Sequence, residues 1–193
     1  MKVIVLNGSS RVVGNTSNIV LGVIDDLGRE GIEAEQVQLY DYSFEPCNDC
    51  RSCEMRGDGR CMNEDDGMND ILDNMRSADG IIIASPAYAG AVPGVLRLFL
   101  ERASLCLEKG DRGLRGKIGA VITVSEHDGA ETAFNEITDW MLRCEMVVVG
   151  ACPFPVFRAL NSPAYEKDEG AMKGLKRLME NYTSLLSKIS DGE

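Results

Sequence analysis

The chain has 193 residues, 44% apolar and 26% charged, and its 31 acidic against 20 basic side chains give a formal charge of −11. That balance excludes nucleic acid and anionic membrane as partners, because both recruit a basic face, and no apolar run approaches the ~18 residues of a membrane span. One domain spanning residues 1–193 is expected, with a core large enough to need no disulfides.

In chain order, Val3 to Leu6 is a continuous apolar run, the pattern of a strand covered on both faces. It stops at Asn7-Gly8, too short for a signal peptide, so a cytoplasmic protein is expected. Ile19, Val20, Val23, Ile24 and Leu27 repeat at helical spacing, and Gly31 follows as a stop. Val37 to Tyr40 reads as a second strand. Residues 41–64 carry four of the seven cysteines and no periodic pattern, and read as a cysteine-rich insertion loop. Met68, Ile71, Leu72 and Met75 predict a short helix, and Gly80 to Ala84 a third strand. Val95 to Leu107 is a helix apolar on more than one face, as in a buried helix or a subunit interface. Ile118 to Val124 is the fourth strand. Phe134, Ile137, Met141 and Leu142 mark a helix, and Met146 to Val149 the fifth strand. A closing helix is expected within residues 165–190, with a frayed end from Ser190 to Glu193.

Five strand–helix repeats imply an α/β fold, a doubly wound five-stranded parallel sheet with helices on both faces. Ligands of such sheets sit at the carboxyl ends of the strands. Three loops follow those ends. The first, Asn7 to Ser17, offers small, hydroxylic and glycine residues where a helix begins, which suits an anion. It lacks the lysine of a P-loop and the spacing of a dinucleotide fingerprint. It therefore suits one terminal phosphate, the alternative being an ordinary turn with Asn15 or Thr16 as helix cap. In the second, Ser85 to Gly90, Pro86 removes a donor, Ala89 and Gly90 admit a flat ligand, and Tyr88 offers a ring to stack. The third is Thr123 to Thr132.

Together these loops resemble the flavodoxin-like NADPH-dependent FMN reductase superfamily. Gly8-Ser9-Ser10-Arg11 through Gly14-Asn15-Thr16-Ser17 resembles its phosphate loop, Ser85 to Gly94 its flavin-ring loop, and Thr123 to Thr132 the segment at the flavin pyrimidine edge. Ser10 stands where the family carries proline, and Asp128-Gly129 replaces a glycine pair. The resemblance implies that Ser9, Arg11, Asn15, Thr16 and Ser17 hold the FMN phosphate. It implies that Pro86, Ala87, Tyr88, Ala89 and Gly90 meet the ring, and that the run Ser125 to Gly129, with Ser125, His127 and Gly129 foremost, closes the pocket. His127, the only histidine, is the expected catalytic residue: it, or a neighbouring amide, would stabilise negative charge on reduced flavin.

Cys47, Cys50, Cys53 and Cys61 follow a C-x2-C-x2-C-x7-C pattern. Three thiols at this spacing resemble a ferredoxin run, and a fourth completes the ligands of one [4Fe–4S] cluster. Zinc is a competitor, and reduced thiols or a redox disulfide a third possibility. The pattern and its place resemble the iron-sulfur flavoprotein subgroup of the superfamily. Cys106, Cys144 and Cys152 lie in or beside apolar segments and are expected to be buried packing residues.

The leading expectation is an FMN-dependent iron-sulfur flavoprotein. It would pass electrons between a ferredoxin-like one-electron donor, the cluster, FMN and a small acceptor such as a quinone, oxygen or peroxide. A second is a cluster-free NAD(P)H-dependent FMN or quinone reductase. A third is a non-catalytic redox sensor or zinc-binding module. The resemblance also implies a homodimer or homotetramer.

Overall fold

A computed structural model describes residues 1–190; the expected fraying of 191–193 lies outside the described residues. Strands β1 (Lys2–Asn7), β3 (Gly80–Pro86) and β4 (Ile118–Ser125) form the centre of a parallel sheet, flanked by β2 (Glu33–Gln38) and β5 (Val147–Val148) in the order β2-β1-β3-β4-β5. Their residues alternate between two cores, as the two-fold side-chain period of a strand requires. Ile4, Leu6, Ile81 and Ile83 pack against α3 (Met68–Ser77), α4 (Gly94–Cys106) and α5 (Ala130–Arg143). Val3, Val5, Ile82 and Ile122 pack against α1 (Asn15–Arg29) and α6 (Glu169–Ser190). Burial on both faces is why these three strands read as unbroken apolar runs.

The edges differ from expectation. β2 spans Glu33–Gln38, earlier than the expected Val37 to Tyr40, and Leu39–Asp41 is a single 3-10 turn. As an edge strand it carries Glu33, Glu35 and Gln36, charge and polarity that protect its unpaired side and erase the apolar signal. The fifth position is shared. β5 is only Val147–Val148, against the amino end of β4, and β6 (Val156–Arg158) pairs with its carboxyl end. Pro153 and Pro155 lie between them and cannot donate to a ladder. The segment 41–64 is not wholly irregular, since α2 (Ser52–Arg56) lies within it. The closing helix starts at Glu169, four residues later than expected, after a 3-10 turn at Ala164–Lys167. Among the described residues no helix is long and apolar enough to cross a membrane.

Register brings the ligand-side ends together: Asn7 lies beside Ala84, Pro86 beside Val124, and Ser125 beside Arg158.

Candidate functional site

A cleft of about 190 Å³ opens where β1, β3, β4 and β6 end. Backbone bonds tie its walls to one another: Gly8 N–H to Ala84 O (2.9 Å), Ala87 N–H to Val124 O (2.7 Å) and Ala159 N–H to Ser125 O (2.8 Å). The cleft lies beside the point where strand order reverses between β1 and β3, the crevice that open α/β sheets use for ligands.

The first loop is held by its own polar side chains. Asn7, buried at the end of β1, accepts from Ser9 N–H (3.0 Å) and donates to Ser17 Oγ (3.1 Å). Ser17 in turn donates to Arg11 O (2.6 Å), and Gln38 Nε2 donates to Ser9 O (2.6 Å). Asn15 is occupied on the far side, donating to Ala159 O and accepting from Tyr165 N–H. Gly14, rather than Asn15 or Thr16, is the N-cap of α1, and no side chain caps the helix. Among the described residues no side chain accepts from the first-turn amides of α1, and the positive end of its dipole lies at the cleft wall formed by Gly14, Asn15 and Thr16.

The second loop turns back at Ala89 and Gly90, both at positive φ (50° and 82°), with Tyr88 and Ala91 exchanging hydrogen bonds of 2.9 and 3.2 Å. Ala89 stores about 1–2 kcal/mol of strain in that conformation. Tyr88 OH lies 3.1 Å from Ser10 Oγ, joining the first two loops over the cleft. Burial and the nearby Tyr88 push the Tyr40 hydroxyl above its ordinary range. The third loop touches the second backbone to backbone: a Cβ on Gly129 would sit 2.6 Å from Gly90 Cα. Ser125 Oγ is buried on the cleft wall with no hydrogen-bond partner.

Ser9, Arg11, Asn15, Thr16, Pro86, Ala87, Tyr88 and Ser125 line the cleft as expected. Ser17 stands behind the loop and positions it. Ala89, Gly90 and Gly129 shape the rim through backbone contact and do not line the wall. His127 corrects the expectation of a histidine facing the cleft: its side chain is 81% exposed, with Nε2 3.2 Å from Glu126, and it is not part of the wall. Glu126, within the expected run Ser125 to Gly129, is on the wall, and so are Ala159 and Leu160, which the sequence did not point to. These two follow β6, whose three-residue run Val156-Phe157-Arg158 was the only signal.

A second cavity, of about 470 Å³, lies between the cysteine segment and α4. Cys47, Cys50, Cys53 and Cys61 all line it, with Arg102, Leu105 and Cys106 from α4. The segment is anchored at both ends: Cys47 N–H donates to Glu101 (3.1 Å), and Asn69 brackets Cys61 by accepting from its N–H (2.8 Å) and donating to its C=O (3.0 Å). Asp49 and Arg51, on either side of Cys50, both have positive φ. The Ser52 hydroxyl holds the exposed Cys50 thiol below its usual range. Cys106 is buried in the core, as expected, and also borders the cavity beside Cys53; burial, then Cys53 and Cys61, push its thiol up to about 12. Cys152 is exposed, unlike the expectation, whereas Cys144 is buried as expected and pushed up to about 12 by that burial. None of the seven cysteines is paired. The four sulfurs share one wall without closing into a shell: among the described residues no three His, Cys, Asp or Glu side chains form a metal-holding group.

The family model described as NADPH-dependent FMN reductase matches residues 1–158. The chain belongs to that family. Within it the chain falls in the iron-sulfur flavoprotein subgroup. An iron-sulfur flavoprotein of Methanocaldococcus jannaschii is 39% identical over 152 residues, 78% of this chain and 76% of the relative. Another, from Methanosarcina thermophila, is 34% identical over 152 residues, 78% of each chain. The structure of RosB with bound 8-demethyl-8-formylriboflavin-5'-phosphate superposes with a TM-score of 0.74 at 21% identity, covering 99% of this chain and 81% of RosB, a likeness of fold. This flavoprotein is therefore a flavin-dependent oxidoreductase.

Its cleft fits FMN. The uncapped amino end of α1 meets a phosphate dianion, and Ser125 Oγ is a buried polar atom awaiting a partner. A cleft of about 190 Å³ is below the ~300–1,000 Å³ of pockets that enclose a whole ligand, and matches the phosphate end of such a cofactor better than the whole of it. The cysteine cavity offers soft thiol donors with Arg102 and Leu105 and no histidine, a donor set suited to an iron–sulfur group.

Proposed function

We propose that this flavoprotein transfers electrons from a one-electron donor of ferredoxin type to a small acceptor such as a quinone, oxygen or peroxide. FMN would occupy the cleft, and a [4Fe–4S] cluster the cysteine cavity. The observation that carries the reading is the placement of all four spaced cysteines on one cavity wall of a chain that also builds a phosphate-accepting cleft. FMN supplies both hydride-level and one-electron chemistry, and a cluster supplies one-electron exchange.

The chain's own residues do the rest. Ser9, Arg11, Thr16 and the first-turn amides of α1 bind the phosphate, with Asn15 and Ser17 holding their loop. Pro86, Ala87 and Tyr88 carry the ring, while Ala89, Gly90 and Gly129 set the rim. Ser125 Oγ and the amides of the loop to Gly129 are the donors for charge on the pyrimidine edge. That role passes from the His127 side chain to the backbone. His127→Ala should change FMN affinity and turnover by no more than about twofold, as for other exposed substitutions. Fluorescence titration and quinone reduction would read this, and a tenfold loss would return the catalytic role to the imidazole.

The two cavities share no lining residue. Arg102 lies eight residues beyond Gly94 on α4, about 12 Å along the helix. A homodimer or homotetramer would let the cysteine cavity of one copy face the cleft of another. Exposed Val12 and Val13 on the phosphate loop, and Leu160 on the cleft wall, are apolar surface for such a contact.

Anaerobic stopped-flow tests the donor. Reduced ferredoxin should bleach the bound flavin faster than NADH or NADPH does. Yellow, iron-free protein bleached by NAD(P)H alone would favour the simple reductase. Zinc without flavin would favour the binding module.

A further inference from the structure

The geometry points to Arg102 as a positioning residue that raises the reduction potential of the group held by the cysteine cavity, through its contact with Cys61. This rests on the four-iron reading above. Arg102 projects from α4 with its side chain 3% exposed, and pairs with Asp66, 8% exposed. Nη1 donates to the Asp66 carboxylate and to Glu45 O (3.1 Å). Nη2 donates to Cys61 Sγ (3.2 Å) and reaches Asp66 Oδ1 (3.5 Å). The guanidinium thus stands between a carboxylate and a candidate ligand sulfur.

Stability alone is a poor reason for this pair. A buried ion pair is frequently no better than apolar side chains of the same volume, because desolvation offsets the attraction. Its aim is the more informative feature. Hydrogen bonds to ligand sulfurs, and charge buried beside them, are the protein's means of setting a cluster's potential. Reduction adds one electron and no proton, so the thiolate-bound group gains a unit of negative charge. A guanidinium against one of its sulfurs, away from water, favours that more negative state. Asp66, one contact further out, opposes it. The other cations on the wall, Arg51 and Lys109, are exposed and screened by solvent.

Arg102 and Asp66 therefore act with opposite signs, which a merely structural role would not produce. The test is a redox titration of anaerobic holoprotein with dithionite, followed by electron paramagnetic resonance. Arg102→Gln should disfavour the reduced form about tenfold, a fall of ~59 mV for one electron. Asp66→Asn should shift the midpoint upward, and Arg102→Lys, which keeps the charge, should lie between wild type and Arg102→Gln. Lys109→Gln should leave it in place. Removing one partner of a buried pair is strongly destabilising. If Arg102→Gln does not fold, the opposed shifts of Asp66→Asn and Arg102→Lys carry the test. Shifts of the same sign, or none, overturn the inference alone. Wild-type protein without iron overturns the four-iron reading itself.

Discussion

Cys53→Ala should cut iron from about four atoms per chain to near zero, with the broad absorbance near ~400 nm lost and flavin retained. Cys53 is half-buried on α2 and shares its wall with Cys47, Cys50 and Cys61. Cys106, the neighbouring thiol on α4, is buried in the core rather than held on the cysteine segment, so it does not take over the place of Cys53. Cys144→Ala, at a buried thiol outside the cavity, should keep its iron. Iron and sulfide assays on anaerobically purified variants decide the point. Unchanged iron in Cys53→Ala would show that the ligand set is wrong.

Gly129→Ala should weaken FMN binding at least about tenfold and lower the melting temperature by roughly 5–10 °C. Two causes add. Gly129 has φ of 83°, where a Cβ costs about 1–2 kcal/mol, and that Cβ would meet Gly90 Cα at 2.6 Å and Gly90 C at 2.9 Å. Both are backbone atoms, so the neighbour cannot rotate aside. The loop after β3 must move away from the loop at Gly129, opening the rim proposed to hold the flavin. Isothermal titration with FMN and calorimetry would measure the two effects. Retained affinity in a destabilised protein would show that the flavin does not touch this rim.

Much of this site was written locally. The phosphate loop was legible because Gly8, Ser9, Asn15 and Thr16 are contiguous with the end of β1 and the start of α1. The ring loop was legible for the same reason after β3. The cysteine spacing announced a shared site without any contact being known. His127 misled because a lone histidine in a ligand-side loop carries no information about which way its ring turns. Here it turns to Glu126 and solvent. Arg102 was invisible for the opposite reason. An arginine within a helix ordinarily marks a solvated face, and only its pairing with Asp66, 36 residues away, makes burial tolerable.

The strands followed the same division. β1, β3 and β4 were determined by the chain itself, since burial on both faces imprints a continuous apolar run. β2 and β6 were decided by position, one as a polar edge and the other as a three-residue continuation of a strand interrupted by prolines. Hydrophobic periodicity records how much water each residue meets. It does not record which distant residue it meets, because that depends on sheet order, register and the path of each crossover. So the sequence carried the fold class, the family and the loops that bear the chemistry. Tertiary structure alone placed Gly129 against Gly90, Ala159 on the cleft wall, and a guanidinium against Cys61.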